Sequence, residues 1–283
     1  MGCGANSRIS CVGGYSFPNN LDQIVHFSTN GIPTLGIYSI EKGTYTEQAV
    51  NINLGPGFGF CWVGKDIFVG GGCLRPRVGI LNCYFIPSST WTPKRLADLR
   101  SPRSDFAIAA YKNEVYIISG CNDKNLIVTT VEKYSFEEAE WRTLNPIPQG
   151  RRNSTALATE SQILVMGGHS GPEAINKIER FLPEENQWET LGVLPVSISE
   201  VGVARVAPSL LLVFGDRDSY WVKTSDFSLL KGPQLPQGNW RFNIEAKTYL
   251  GRVFAIEASC DQILVFESNF WHVKSLKPEY MKL

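Results

Sequence analysis

The stretch ILVMGGHSG, residues 163–171, runs four apolar side chains into two glycines, then His169 and a third glycine. An apolar run of this length closed by turn residues reads as a short buried strand. Paired glycines at its end mark backbone that turns with φ > 0, or that lies too close to a neighbour to carry a Cβ. The same event recurs in IFVGGG (67–72), VYIISG (115–120) and LLLVFG (210–215). The last glycines are residues 72, 120, 168 and 215, so the steps are 48, 48 and 47 residues. Two further apolar strands, QIVHFS (23–28) and VFAIEA (253–258), fit the same place without glycine.

Tryptophan keeps the same time. Trp91, Trp141, Trp188 and Trp271 open the phrases WTPKRLADL, WRTLNPIP, WETLGVLP and WHVKSL, and SLLKGPQLP (228–236) fills the missing place with leucine. One more short strand lies between each glycine strand and each tryptophan, and another precedes each glycine strand. The unit is therefore four short strands. Six units are expected, at roughly 8–50, 56–98, 103–146, 152–194, 200–235 and 241–276. Residues 1–7 and 277–283 are left as tails. In the first unit RISCVGGYSF is the expected leading strand.

Sheets with apolar side chains on both faces cannot stand alone. Stacking them radially covers both faces and leaves only short edges. The expected fold is all-β: a six-bladed β-propeller of four-stranded antiparallel blades, with the indoles as apolar plates between blades. A repeat near 50 residues with Gly-Gly after an apolar strand, then an aromatic, then tryptophan, resembles the kelch repeat. The likeness is fullest over 103–194, where PRSDFAIAAYKNEVYIISG, VEKYSF, ILVMGGHSG and IERFLPEENQWETLGVLP follow the pattern phrase by phrase. The first and last units depart from it most. The resemblance implies a protein-binding platform, with no cofactor, working as a monomer.

The totals agree with that class. The chain has 283 residues, 27 basic and 27 acidic side chains and no net charge. It lacks the basic excess expected of a nucleic-acid binder. Its seven cysteines form no Cys-x-x-Cys pair, so neither a disulfide framework nor a zinc knuckle is expected; small buried thiols in a reducing cytoplasm are. No apolar stretch reaches the roughly 18 residues a membrane span needs. Three histidines on different strands and loops are not expected to converge on a metal.

Function is then expected on loops, because the strands are consumed by packing. The resemblance places one face at the loops after the glycine strands and at the links between blades. Arg75, Arg77, Arg103, Arg151, Arg152, Arg217 and Arg241 map to that face, with His169. Guanidinium groups grip carboxylate and phosphate in bidentate fashion, so the expected partner is an acidic or phosphorylated peptide. A structural role stands beside the binding one for Arg103, Arg152 and Arg241, which follow prolines at matching points of the repeat. A solvated loop is the other reading for Arg75, Arg77 and Arg217. The alternative function is a carbohydrate-active propeller enzyme, with Arg151, Arg152, Glu200 and Glu245 around the central channel.

The chain opens MGCGANS. Met-Gly-Cys resembles the start of dually acylated proteins, with Gly2 myristoylated and Cys3 palmitoylated, although the serine stands at position 7 rather than 6. Two chains would give a stable tether to a cytosolic membrane face. A short unmodified tail is the other reading.

Overall fold

A computed structural model describes residues 22–28, 33–74, 78–195, 200–238, 240, 242, 246–256 and 262–275. The architecture is the expected one, a six-bladed β-propeller without helix among the described residues. Blade 4 shows the unit: Thr155–Ala158, Ile163–Met166, Lys177–Leu182 and Gln187–Val193 pair antiparallel in that order. Blades 2, 3, 5 and 6 repeat it. Blade 1 has three described strands, Gln23–Ser28, Thr34–Ser39 and Thr44–Ala49. The leading strand expected at RISCVGGYSF lies outside the described residues.

The ring closes between the last blade and the first. Val25 and Phe27 of blade 1 share one buried cluster with Phe254 and Val265 of blade 6 and with Phe60 and Val69 of blade 2. The Tyr249 hydroxyl of blade 6 also donates to the Glu41 carboxylate of blade 1.

The glycines have the two causes their spacing suggested. Gly72, Gly120 and Gly168 share φ values of 96°, 92° and 91°. A Cβ at Gly120 would stand 2.5 Å from the Ser104 carbonyl oxygen, and one at Gly168 would stand 2.6 Å from that of Arg152. The same backbone also reaches the following blade: Gly72 N–H donates to Arg103 O and Gly120 N–H to Arg151 O, each at 2.9 Å. Gly72 and Gly120 thus tie their blades to the segment that leads into the next. Blade 5 departs here. Gly215 stays in its strand opposite Asp218, and the left-handed residue is Asp216.

Side-chain volume is traded between blades. The Phe106 ring lies over Gly59 and Gly71, where a Cβ would meet it at 2.4 and 2.8 Å. One blade on, the phenyl slot holds Ser154, and the two small slots hold Ala107 and Ser119. Ser119 accepts the left-handed backbone that glycine takes elsewhere, at φ 61°. Its hydroxyl compensates by accepting from Arg151 N–H at 2.7 Å and donating to Val128 O at 2.6 Å.

Indoles wedge between sheets as expected. Trp141 meets Phe68 of blade 2 edge-on at 6.0 Å, and Trp271 packs on Phe214 of blade 5 at 4.9 Å. A fully buried side chain of this size contributes about 2–3 kcal/mol by removal from water. Leu229, opposite Val222, takes the slot in blade 5. Blade 2 differs from expectation. Trp91 sits in the turn before the outer strand at φ 52°, and the register leaves Pro93, not Trp91, opposite Ile86. Proline has no N–H to offer a sheet, which is why that outer strand shrinks to Lys94–Arg95.

Candidate functional site: the loop face

The loops after the glycine strands fold back as short ribbons on one face. Cys73–Leu74 pairs with Val78–Gly79, His169–Ser170 pairs with Glu173–Ala174, and Cys121 bridges to both Ser104 and Ile127. Beneath them the leading strands start in left-handed backbone at Gly57, Asp105 and Asn153, with φ of 76°, 55° and 55°. Asp105 N–H donates to Gly57 O, and Asn153 N–H donates to Asp105 O, both at 2.8 Å. These bonds step from blade to blade around the channel, and Asn153 Nδ2 continues them toward Glu200 at 3.4 Å.

The structure sorts the expected arginines into two kinds. Arg103 and Arg151 are 1% and 0% exposed. Arg103 pairs with the buried Glu132 and donates to Thr130 O and Ser101 Oγ at 3.0 and 2.9 Å. Arg151 pairs with the buried Glu179 and donates to Gly167 O at 3.2 Å and Lys177 O at 3.3 Å. Each guanidinium ties its own leading strand to the third strand, Arg103 within blade 3 and Arg151 within blade 4, and neither faces a ligand. Burial alone pulls both arginines below their ordinary range, and the paired glutamates push back. The repeat equivalent of Arg103 is therefore Arg151, not Arg152. Both lie 17 residues before the last glycine of their blade. Glu132 and Glu179, absent from the expected set, sit in the third strand of the same two blades, in VEKYSF and IERFLP.

Arg152 is the residue this register places at the face. Its backbone pairs with His169 in both directions, at 3.0 and 2.9 Å. Its guanidinium bonds the Cys121 thiol and lies close enough to Asp105 to favour that carboxylate. Its Nε is buried and has no acceptor among the described residues. Burial raises the Asp105 carboxyl, against a hydrogen bond from Ser104 Oγ and the Arg152 charge. Burial and then the Asp105 charge push the Cys121 thiol up to about 11, so it is a neutral packing thiol rather than a nucleophile. Burial, followed by the Arg152 cation, holds the His169 imidazole below its usual 6.5.

Of the remaining expected residues, Arg217 is exposed in the blade 5 loop, where its carbonyl accepts Leu235 N–H at 3.0 Å. Arg75, Arg77, Arg241, Gly2 and Cys3 lie outside the described residues, as does Glu245 of the sugar-enzyme alternative. Among the described residues no three His, Cys, Asp or Glu side chains gather as a metal site.

A family model described as the Kelch motif matches residues 102–148 and 150–192. Those are blades 3 and 4, the two that hold the buried Arg–Glu pairs. Blades 3 and 4 are thus kelch repeats. The chain is 29% identical to Kelch-like protein 35 of Mus musculus over 160 residues, covering 55% of this chain and 27% of that protein. It is 28% identical to Kelch-like protein 40 of Xenopus laevis over 117 residues, 38% of this chain and 19% of that protein. Alpha-scruin of Limulus polyphemus is 32% identical over 110 residues, 37% of this chain and 12% of scruin. The matched part is thus about a quarter or less of these relatives' length.

Proposed function

We propose that this kelch propeller is a protein-interaction module whose loop face takes an acidic or phosphorylated segment of a partner on Arg152. The observation that carries the reading is the division among the arginines. Arg103 and Arg151 are neutralised inside the blades, whereas Arg152 is only partly buried and pairs through its backbone with His169 of the loop ribbon. A planar, partly buried cation beside His169 suits a carboxylate or phosphate fork. The neighbouring Asp105 offsets the charge and so favours a directed hydrogen bond over general attraction of anions. The test is an array of acidic and phosphorylated peptides probed with the full chain. Arg152→Ala is expected to weaken the captured peptides by roughly tenfold or more, the loss of a charge-assisted bond. Equal binding by the variant refutes the reading.

For a chain translated from Met1, acylation at Gly2 and Cys3 would hold the module at a cytosolic membrane surface as a monomer. Intact mass from native cells tests this: each saturated acyl chain adds roughly 210–240 Da, and an unmodified mass refutes it.

A further inference from the structure

In blade 3 the leading segment meets the loop ribbon through one antiparallel bridge, Ser104 with Cys121. Each of the two amides donates to the other's carbonyl, at 2.9 and 2.8 Å. Blade 4 makes the same bridge with Arg152 and His169, at 3.0 and 2.9 Å. Residues that exchange both backbone bonds stand directly opposite each other, with side chains on the same side and Cβ atoms about 5 Å apart. Backbone geometry therefore sets the imidazole beside the guanidinium, and both side chains are half-buried on the loop face.

The bridge does not need this pairing, since a hydroxyl and a thiol build it in blade 3. The pairing also carries a cost, because like charges directly opposite across a sheet repel once His169 is protonated. The carboxylates nearby are placed elsewhere. On the ribbon, Ala174 stands opposite His169, and Glu173 stands opposite Ser170, exposed and on the other face. Asp105 lies on the Arg152 side, near the guanidinium that bonds the Cys121 thiol. In the free chain, burial and then the Arg152 cation both oppose the His169 proton. An anion seated against both side chains reverses the second effect, and both groups then act purely as donors to it.

We infer that Arg152 and His169 form a proton-linked anion site: an acidic segment of the partner binds as His169 takes up a proton, so the loop face holds it more tightly as pH falls. This rests on the loop-face reading of Arg152. The step is a single protonation. One proton passes from solvent to the imidazole, which becomes imidazolium, and no covalent bond to the ligand forms. The sign follows from linkage. The complex holds more protons than the free chain, so affinity rises as pH falls, by at most about tenfold per unit. The rise falls between the midpoint of the free imidazole, below 6.5, and the higher midpoint in the complex.

The experiment titrates the full chain with Asp- and Glu-containing peptides captured on the array, at constant ionic strength. Carboxylates are the right probe because they stay ionised from about pH 5.5 to 7.5, whereas a phosphate titrates in that range. Wild type is expected to bind at least about fivefold more tightly at the lower pH, and His169→Asn to lose most of that gain. Among the three histidines, the ring resonance that His169→Asn removes is followed by NMR in wild type. Its midpoint is expected to rise when the peptide is added. The inference is overturned if His169→Asn keeps the wild-type pH profile, or if the His169 midpoint stays put. Peptides lost on Arg152→Ala whose binding ignores His169 overturn this inference alone. An array without peptides that depend on Arg152 overturns the loop-face reading and this inference together.

Discussion

Replacing Glu179 by alanine strands the Arg151 guanidinium in the interior of blade 4. Arg151 is 0% and Glu179 1% exposed, so water cannot take over the lost partner. The cation keeps its carbonyl acceptors Gly167, Lys177 and Gln149, at 3.2 to 3.3 Å, but no negative charge. Breaking a buried pair from one side typically costs about 3–5 kcal/mol. For a chain of this size about 1 kcal/mol moves the midpoint by some 2–4 °C, so Glu179→Ala is expected to melt roughly 6–20 °C below wild type. The double variant Arg151→Met with Glu179→Leu removes the stranded charge along with the pair. It loses the bonds to carbonyls, each worth about 0.5–1.5 kcal/mol, but leaves no buried ion. It is therefore expected to be no less stable than Glu179→Ala alone. Thermal melts of wild type, Arg151→Met, Glu179→Leu and the double close the cycle, with Glu179→Ala melted beside them. Additive effects, or a single-variant loss below about 1 kcal/mol, refute the placement of this pair in the core.

Three further outcomes follow from the same geometry. Gly120→Ala should cost about 2 kcal/mol or more, from left-handed strain plus contact with Ser104 O. Gly171→Ala, at φ 67° with nothing within 4 Å of the added Cβ, should cost only about 1–2 kcal/mol, and the difference between the two melts isolates the contact. His169 is held below its unfolded value, so the unfolded chain binds the extra proton first as pH falls. Stability from this group is complete above pH 6.5 and declines toward the lower folded value, and His169→Asn should flatten that part of the profile. Cys121, with its thiol at about 11, should resist iodoacetamide at neutral pH in the folded chain and react after denaturation, as read by peptide mass.

The strand-and-glycine period was legible because it has a steric cause. Only residues that tolerate φ near +90° and carry no Cβ fit at Gly72, Gly120 and Gly168, where the backbone crosses the start of its own blade, and that need recurs with the blade. The arginines were harder to read. Aligning them on nearby prolines groups Arg103 with Arg152, whereas aligning on the glycines, whose place is fixed by close backbone contact, groups Arg103 with Arg151. Prolines sit in connections whose length varies, so they keep poorer time. Trp91 misled for a similar reason: a tryptophan near the right place was read as the one in the slot, while the backbone put Pro93 there. The partners that decide which cations are spent, Glu132 and Glu179, lie 29 and 28 residues along the chain from their arginines. Nothing local to either arginine announces them. What could have done so is the match between repeats, since blades 3 and 4 carry both members and blade 2 carries neither: Gly55 stands in the arginine slot and Tyr84 in the glutamate slot.

That co-occurrence explains where the ring is free to vary. A buried arginine without its glutamate, or the reverse, leaves a lone ion in the core, so the two slots must change together or not at all. Blades 3 and 4 hold the pair and keep the fullest repeat; blade 2 dispenses with both members and packs Tyr84 instead, its hydroxyl accepting from Asn53 N–H at 3.0 Å and Asn82 Nδ2 at 3.1 Å. The tryptophan slot obeys a looser constraint, because an indole needs only one acceptor from the preceding blade: Trp141 Nε1 reaches Ala97 O at 3.1 Å, and Trp188 Nε1 reaches Asn145 O at 2.9 Å. Blade 6 keeps the indole of Trp271 after blade 5 has turned the corresponding acceptor, Pro233 O, inward to Ser219. A substitution that restores the acceptor should therefore stabilise the ring: Ser219→Ala frees Pro233 O for Trp271 and should raise the melting temperature if the two can meet. If the melt falls instead, the Ser219 bond is worth more than the indole bond it displaced, and the unpaired buried donor is the by-product of a better-packed blade 5.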